Sequence, residues 1–349
     1  MDRRREDSSM FRRPLHLMIL LTSCFTRSKS FSSFARRVFD GSISRILTVE
    51  AMNGLLQRIQ ENNDVESSGG AKSFVPFIVQ NKIIGYVKPS LCNRLTEFSA
   101  VFQLTETQSR PSLRFTSDIE RQDCAFRSAA LAEVTSTLRE EGLVSGWRNE
   151  LVEASSDFNS SPSFLIERAA YPLFGIKGYG VHINGYIRNP VDRRIEKIWV
   201  AKRSKTKSTW PSMYDHIVAG GQPSGITLTE NVIKECDEEA SIPLHIAKEA
   251  TPAGIVSYCC LDGDANLKRD VLFCYDLGDL FFKYLLVASL FYLNIIELPI
   301  DFIPIPRDGE VEYFELQETD WVLEKLITGG SKDTYKPNCN LVIIDFFIR

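Results

Sequence analysis

Glu235, Glu238 and Glu239 lie shortly after the run Ala219-Gly220-Gly221-Gln222-Pro223-Ser224-Gly225. At i, i+3 and i+4 the three acids share one face of a helix. Carboxylates that close repel one another and raise one another's pKa. They also crowd the C-terminal end of that helix, where its dipole disfavours anions. A bound cation removes both penalties. Hard oxygen donors suit Mg²⁺ or Mn²⁺, ions that commonly bridge to phosphates. The glycine-rich loop beside them offers the backbone N–H groups of Gly220 and Gly221 to a diphosphate. The competing reading is a solvated acidic helix face, as in most charge runs. The adjoining loop favours chemistry.

The elements that must position these groups follow from the local pattern. Thr227 and Glu230 have capping-box spacing, so the helix starts there. Val232, Ile233, Cys236 and Ala240 fall opposite the acids and pack inward. Before the loop, Tyr179 to Arg188 alternates as a strand with His182 and Asn184 on one side, and Ile198 to Ala201 returns as its hairpin partner.

The stretch from Gly220 to Ile242 resembles the Nudix box, Gly-x5-Glu-x7-Arg-Glu-U-x-Glu-Glu-x-Gly-U, where U is aliphatic. Gly220, Glu235, Glu238, Glu239 and Ile242 fit, and Cys236 takes an apolar U position. Three positions depart: Ile226 replaces the first glutamate, Lys234 the arginine and Ser241 the late glycine. In the family that first glutamate and the arginine help hold loop and helix together, so the departures bear on loop geometry. The likeness extends to GIKGYGVHINGYI (175–187), Gly254–Tyr258, Lys268–Phe273 and Asp308–Glu312. Together these look like plant and fungal Nudix proteins with an extra N-terminal domain. In fungi that module is fused to thiamine pyrophosphokinase, and the plant members look like plastid enzymes.

The resemblance implies an α/β fold: a Nudix α/β/α sandwich with a mixed sheet, preceded by a small α+β domain. It implies a hydrolase of acid anhydrides, a diphosphatase. Glu235, Glu238 and Glu239 would hold Mg²⁺ or Mn²⁺, with Glu238 and Glu239 as catalytic acids and Gly220 and Gly221 on the substrate. The metal would polarise the phosphoryl oxygen and help generate hydroxide. The general base would be a box glutamate or a later acid, for which Glu310 and Glu312 are candidates. Both also read as ordinary exposed strand charge. The expected substrate is a nucleoside diphosphate derivative or a thiamine-diphosphate-like compound. The alternative is a Nudix-fold module that binds without turnover.

Composition is compatible with this. A chain of 349 residues allows two domains. A net charge of −4 implies no bulk attraction to nucleic acid, and none is expected as a partner. The eight cysteines include no CxxC, so they read as thiols in a reducing compartment. His182 reads as a satisfied core or pocket residue rather than a metal ligand. Lys202, Arg203, Lys205 and Lys207 form a basic run that reads either as a solvated loop or as phosphate attraction.

Residues 1–45 are Arg- and Ser-rich, and 8–39 contain no acid, which reads as a transit peptide. The chloroplast is expected, with the mitochondrion as alternative. Residues 46–163 form the expected N-terminal domain, and 164–349 the Nudix domain. Within the first, Leu47 to Ile59 reads as a helix and Phe74 to Val87 as a strand pair turning at Asn81-Lys82. Arg121 to Glu141 reads as a helix closed by Gly142, and Ser155 to Ser163 as a connector. Residues 278–296 read as an atypical insertion, either translated intron sequence or a membrane-dipping helix. Leu280 to Ile296 falls short of the ~20 residues a spanning helix needs, so membrane partnership is not expected.

Overall fold

The computed structural model describes residues 49–66, 70–106, 110–189, 191–278, 302–329 and 333–349. The expected transit segment and residues 279–296 of the expected insertion lie outside these. Among the described residues no helix is long and apolar enough to cross a membrane.

The chain opens with helix α1 (Val49–Glu61), then hairpin β1 (Val75–Val79) and β2 (Lys82–Val87). The hairpin turns at Gln80-Asn81, one residue earlier than expected, because Val79 pairs with Lys82. Both turn residues have positive φ, the conformation that matches a tight turn to strand twist. Helix α2 (Pro89–Thr96), strands β3 (Phe102–Thr105) and β4 (Ser112–Phe115), and helix α3 (Cys124–Glu140) follow. Asp123 caps α3, accepting from Phe126 N–H, so this helix starts later than Arg121. Gly142 ends it at φ +77°, as expected. The first sheet has order β2-β1-β4-β3 with β1 and β4 parallel.

Strands β5 (Leu151–Ala154) and β6 (Phe164–Glu167) pair antiparallel. Ser155–Ser163 is therefore a hairpin loop rather than an interdomain connector. Phe164 packs with Phe77 and Phe115 at ring-centroid distances of 5.7 Å, inside the first core. Ile166, Leu173, Phe174 and Ile176 join the same core. By packing, the first unit extends to Ile176, beyond the expected boundary at 163. Helix α1 departs in the other direction. Its Met52 and Leu55 pack with Val322, Leu326, Ile343 and Phe347 of the second unit.

The second unit contains β7 (Lys177–Arg188), β8 (Ile195–Arg203), β9 (Tyr214–Asp215), β10 (Val218–Gly221), helix α4 (Leu228–Ala240), β11 (Thr251–Leu261), β12 (Leu267–Gly278), β13 (Val311–Glu318), and helices α5 (Thr319–Thr328) and α6 (Pro337–Ile348). Its sheet runs β11-β12-β7-β8-β13, with β10 on β7 and β9 on β8. β7 and β12 are parallel and their other neighbours antiparallel, so the sheet is mixed. Strand alternation sends Val181, Ile183, Phe273 and Tyr275 toward α4. Leu272 and Cys274 point to the opposite face, where they meet Leu341 and Val342 of α6. This is the expected α/β/α sandwich.

Helix α4 ends at Ser241, which adopts the left-handed conformation at φ +50°. Ile242 N–H then returns to Cys236 O at 2.9 Å. The late glycine of the box belongs here because a side chain at this φ is strained by about 1–2 kcal/mol. Glycine's larger unfolded-state entropy offsets part of the gain. Ser241→Gly should therefore stabilise the protein by about 0.5–1 kcal/mol, measured as a higher urea midpoint at unchanged slope.

Candidate active site

Thr227 Oγ1 accepts from Glu230 N–H at 3.1 Å, and Glu230 Oε2 accepts from Thr227 N–H at 2.7 Å. This capping box fixes the start of α4, and the core packing of Val232, Cys236 and Ala240 fixes its rotation. That rotation separates the three acids. Glu235 and Glu239 are each 7% exposed and face β10, whereas Glu238 lies at the rim with its side chain 48% exposed. Lys234 Nζ reaches Glu238 at 2.7 Å and Glu235 at 3.2 Å. The shared acidic face expected from spacing is thus a buried pair plus one solvated, ion-paired acid.

Gly220 makes the burial of Glu235 possible. A Cβ added there would sit 2.1 Å from Glu235 Cδ. Gln222 N–H donates to Tyr179 O at 2.8 Å, which sets the hydrogen-bonding phase of β10 on β7. Antiparallel pairs alternate between bonded and non-bonded, so Gly220 N–H is used in the ladder with Val181. Ala219 N–H points the other way and donates to Glu239 Oε2 at 2.8 Å. Gly221 shares this outward phase. Of the two N–H groups expected at the substrate, only that of Gly221 faces away from the ladder, and Gly220 acts by its missing side chain.

Burial, followed by the charge of Glu235, pushes the Glu239 carboxyl well above its usual range. Glu235 is also raised, chiefly by burial and against the pull of Lys234. Oxygens of Glu239, Asp308 and Glu310 lie within 4.8 Å of one another. Two ionised carboxylates at that spacing repel by about 3.5 kcal/mol at an effective dielectric of 20. Three convergent carboxylates, one of them buried, form the hard oxygen set that a small divalent ion takes. The residues present therefore fit Mg²⁺ or Mn²⁺.

Glu310 N–H donates to Asp308 Oδ1 at 2.8 Å. Burial raises the Glu310 carboxyl, but Lys207, 2.5 Å away, outweighs it and holds the pKa below normal. Glu312 does not join the acidic group; it is exposed and pairs with Lys205 at 3.0 Å. Asp308 was not among the acids singled out from sequence. Its signal was the Asp-Gly-Glu turn, where Gly309 at φ +81° folds the two acids together.

The basic run is neither a solvated loop nor a uniform phosphate patch. Arg203 is 9% exposed and binds Asp215 Oδ2 at 2.8 Å and the carbonyls of Thr209 and Trp210. Lys207 borders a cleft of about 220 Å³ whose wall also carries Arg148, Arg168, Lys268 and Lys336. Arg168 pairs with Glu150 at 2.6 Å and lies over Gly221, where an added Cβ would be 2.7 Å from its Cζ. A second cleft of about 160 Å³ is bounded by Phe158, Tyr179, Gln222, Pro223 and Ile226. Phe158 and Tyr179 meet edge-on at 5.1 Å.

The loop is held without the ion pair lost at Ile226. Asn231 Nδ2 donates to Gly221 O at 2.9 Å, and Gln222 Nε2 donates to Ile226 O at 2.9 Å. His182 is 4% exposed, but neither ring nitrogen has a hydrogen-bond partner, so it is not the satisfied residue expected.

Residues 54–178 match a family described as a domain of unknown function, DUF4743. That match ends beside the packing boundary at Ile176. The chain is 39% identical over 301 residues to Nudix hydrolase 20, chloroplastic, of Arabidopsis thaliana, covering 85% of this chain and 73% of that protein. It is 36% identical over 350 residues to Nudix hydrolase 24, chloroplastic, of the same plant, covering 99% and 86%. A Caenorhabditis elegans Ap4A hydrolase structure aligns at 12% identity and TM-score 0.30, over 48% of this chain and 94% of that one. The chain belongs to the Nudix hydrolase family, whose members act on diphosphate-containing substrates and generally use divalent metals.

Gly220→Ala should displace Glu235 by at least an ångström while leaving the ladder intact. On an enzyme that needs this carboxylate, turnover falls by roughly 100-fold with an unchanged far-UV circular dichroism spectrum, a comparison that isolates geometry from folding.

Proposed function

We propose that this protein hydrolyses the diphosphate bond of a nucleoside diphosphate derivative or a thiamine-diphosphate-like compound. The observation that carries the reading is the buried pair Glu235 and Glu239, set against a side-chain-free strand position and joined by Asp308 and Glu310. A cleft walled by cations lies directly beside it.

Glu235, Glu239, Asp308 and Glu310 would hold Mg²⁺ or Mn²⁺, with Glu238 joining from the rim. When bound, that ion supplies charge stabilisation and an activated water. Arg168 and Lys268 bind and orient the diphosphate oxygens, and Gly221 N–H adds a backbone donor. The proton of the attacking water goes to a box glutamate or to Glu310; of these Glu239 has the raised pKa that suits a base, whereas Lys207 holds Glu310 low. The aromatic cleft of Phe158 and Tyr179 seats the ring system at the other end of the substrate. The named chloroplastic relatives and the acid-free stretch 8–39 support action in the chloroplast.

Glu235→Gln and Glu239→Gln should each lower metal-dependent phosphate release by at least about 100-fold, whereas Glu312→Gln should leave it within roughly twofold. The substrate panel should include oxidised thiamine diphosphates, ADP-ribose and NADH. Binding without metal-dependent turnover by the wild type would instead establish the non-catalytic alternative.

Arg168→Ala should raise KM about tenfold or more with a smaller change in kcat, because it removes binding rather than bond cleavage. Steady-state kinetics on the best panel substrate checks this. An unchanged KM would remove Arg168 from the substrate site.

A further inference from the structure

His182 on β7, His216 between β9 and β10, and Cys339 in the first turn of α6 converge on one another. Each offers one ligand atom, and the three atoms lie within 4.8 Å of one another. The residues are 4%, 4% and 0% exposed. The imidazoles meet edge to face at 5.0 Å. Among the described residues, His182 Nδ1, His182 Nε2 and His216 Nε2 are buried with no hydrogen-bond partner. A buried polar atom left unpaired costs about 1–3 kcal/mol, and a ligand shared by one nitrogen of each imidazole would satisfy two of these three. Two imidazoles and a thiol are donors for a transition metal, and movements of about an ångström would bring all three to bonding distance.

The surrounding charge selects the ion. Asp215 Oδ2 is bound at 2.8 Å by both Arg203 and Lys336, leaving one positive charge in excess. Cys339 Sγ donates to Asp215 Oδ1 at 2.8 Å. Replacing that thiol proton with Cu⁺ forms a copper–sulfur bond, releases H⁺ and leaves the net charge unchanged, with no oxidation or reduction. Zn²⁺ would add a positive charge to a buried site already carrying an excess, which is expensive. His182 and Lys336 border the 220 Å³ cleft, which gives the ion a way in and the proton a way out. Asp215 Oδ1 keeps the backbone N–H of His216 at 2.9 Å after the thiol proton leaves.

We propose that His182, His216 and Cys339 form a second metal centre, specific for Cu⁺ and separate from the carboxylate site. It overturns the sequence-based expectation for His182 and does not depend on the proposed hydrolysis. The test uses the full chain, reduced and metal-free, loaded anaerobically with Cu⁺ or, in parallel, Zn²⁺, then desalted and analysed by mass spectrometry. About one copper per chain should be retained, with one sulfur and two nitrogen neighbours in its X-ray absorption spectrum. Glu235→Gln and Glu239→Gln should keep that copper. Cys339→Ser and His182→Gln should lose it by roughly tenfold or more, with circular dichroism confirming folded protein. If Cys339→Ser does not fold, His182→Gln at the cleft wall carries the test. Wild type retaining no more copper than His182→Gln would overturn the site, and preferential zinc retention would overturn the monovalent assignment.

Discussion

The active-site half of the molecule depends on two carboxylates being pressed against the backbone of one short strand. Glu239 is fixed by the outward N–H of Ala219, and Glu235 occupies the space that a side chain at residue 220 would fill. Neither arrangement favours folding by itself, because burial destabilises both ionised groups. The cost is met elsewhere. The apolar side of α4 packs Val232, Cys236 and Ala240 against the sheet, and the capping box secures its first turn. A stable helix thus carries an unfavourable electrostatic load to a defined place. A divalent ion held there, as proposed, would relieve a repulsion that already exists in the folded protein.

The upstream unit gains a physical role from this arrangement. Its core does not stop at the hairpin loop but runs through Phe164 and Phe174 to Ile176, directly into β7. Arg168 sits on that continuous path and is carried over Gly221. Phe158, at the tip of the same hairpin, packs on Tyr179 and Phe273 of the central sheet. The two clefts are therefore bounded partly by side chains of the region matching the domain of unknown function. Exchange of its β5–β6 hairpin loop would alter the walls while leaving the glutamates in place.

What was legible in the sequence was local and periodic. The capping box, the apolar stripe of α4, the β7–β8 hairpin and the Gly142 terminus each follow from a few neighbouring residues. What was not legible depended on rotation or on contacts distant in sequence. Spacing placed Glu238 with its two neighbours, but a helix face spans a wide arc, and core packing turned Glu238 to solvent. Alternation could not separate Glu310 from Glu312, because only the Asp308 turn brings one of them to Glu239. Gly220 and Gly221 looked equivalent until the strand phase consumed one N–H. Core packing continues past 163 because a polar Ser- and Asn-rich stretch is as suitable for a hairpin loop as for a linker.

At Ile226 and Lys234 the loop and helix are held by contacts other than the ion pair of the usual box. In the usual box an ion pair joins loop to helix. Here one neutral amide of α4 does so, Asn231 holding the Gly221 carbonyl, while Gln222 closes the loop on itself at the Ile226 carbonyl. Asn231 is fully buried, so its bond to Gly221 is shielded from water competition. Lys234, freed from the missing acid, turns to Glu235 and Glu238. Without the first glutamate the loop also carries one less negative charge where the diphosphate would approach, and Ile226 instead lines the aromatic cleft. The substitution therefore places an apolar side chain on the wall of this cleft, at the position where the resembled box has an acid.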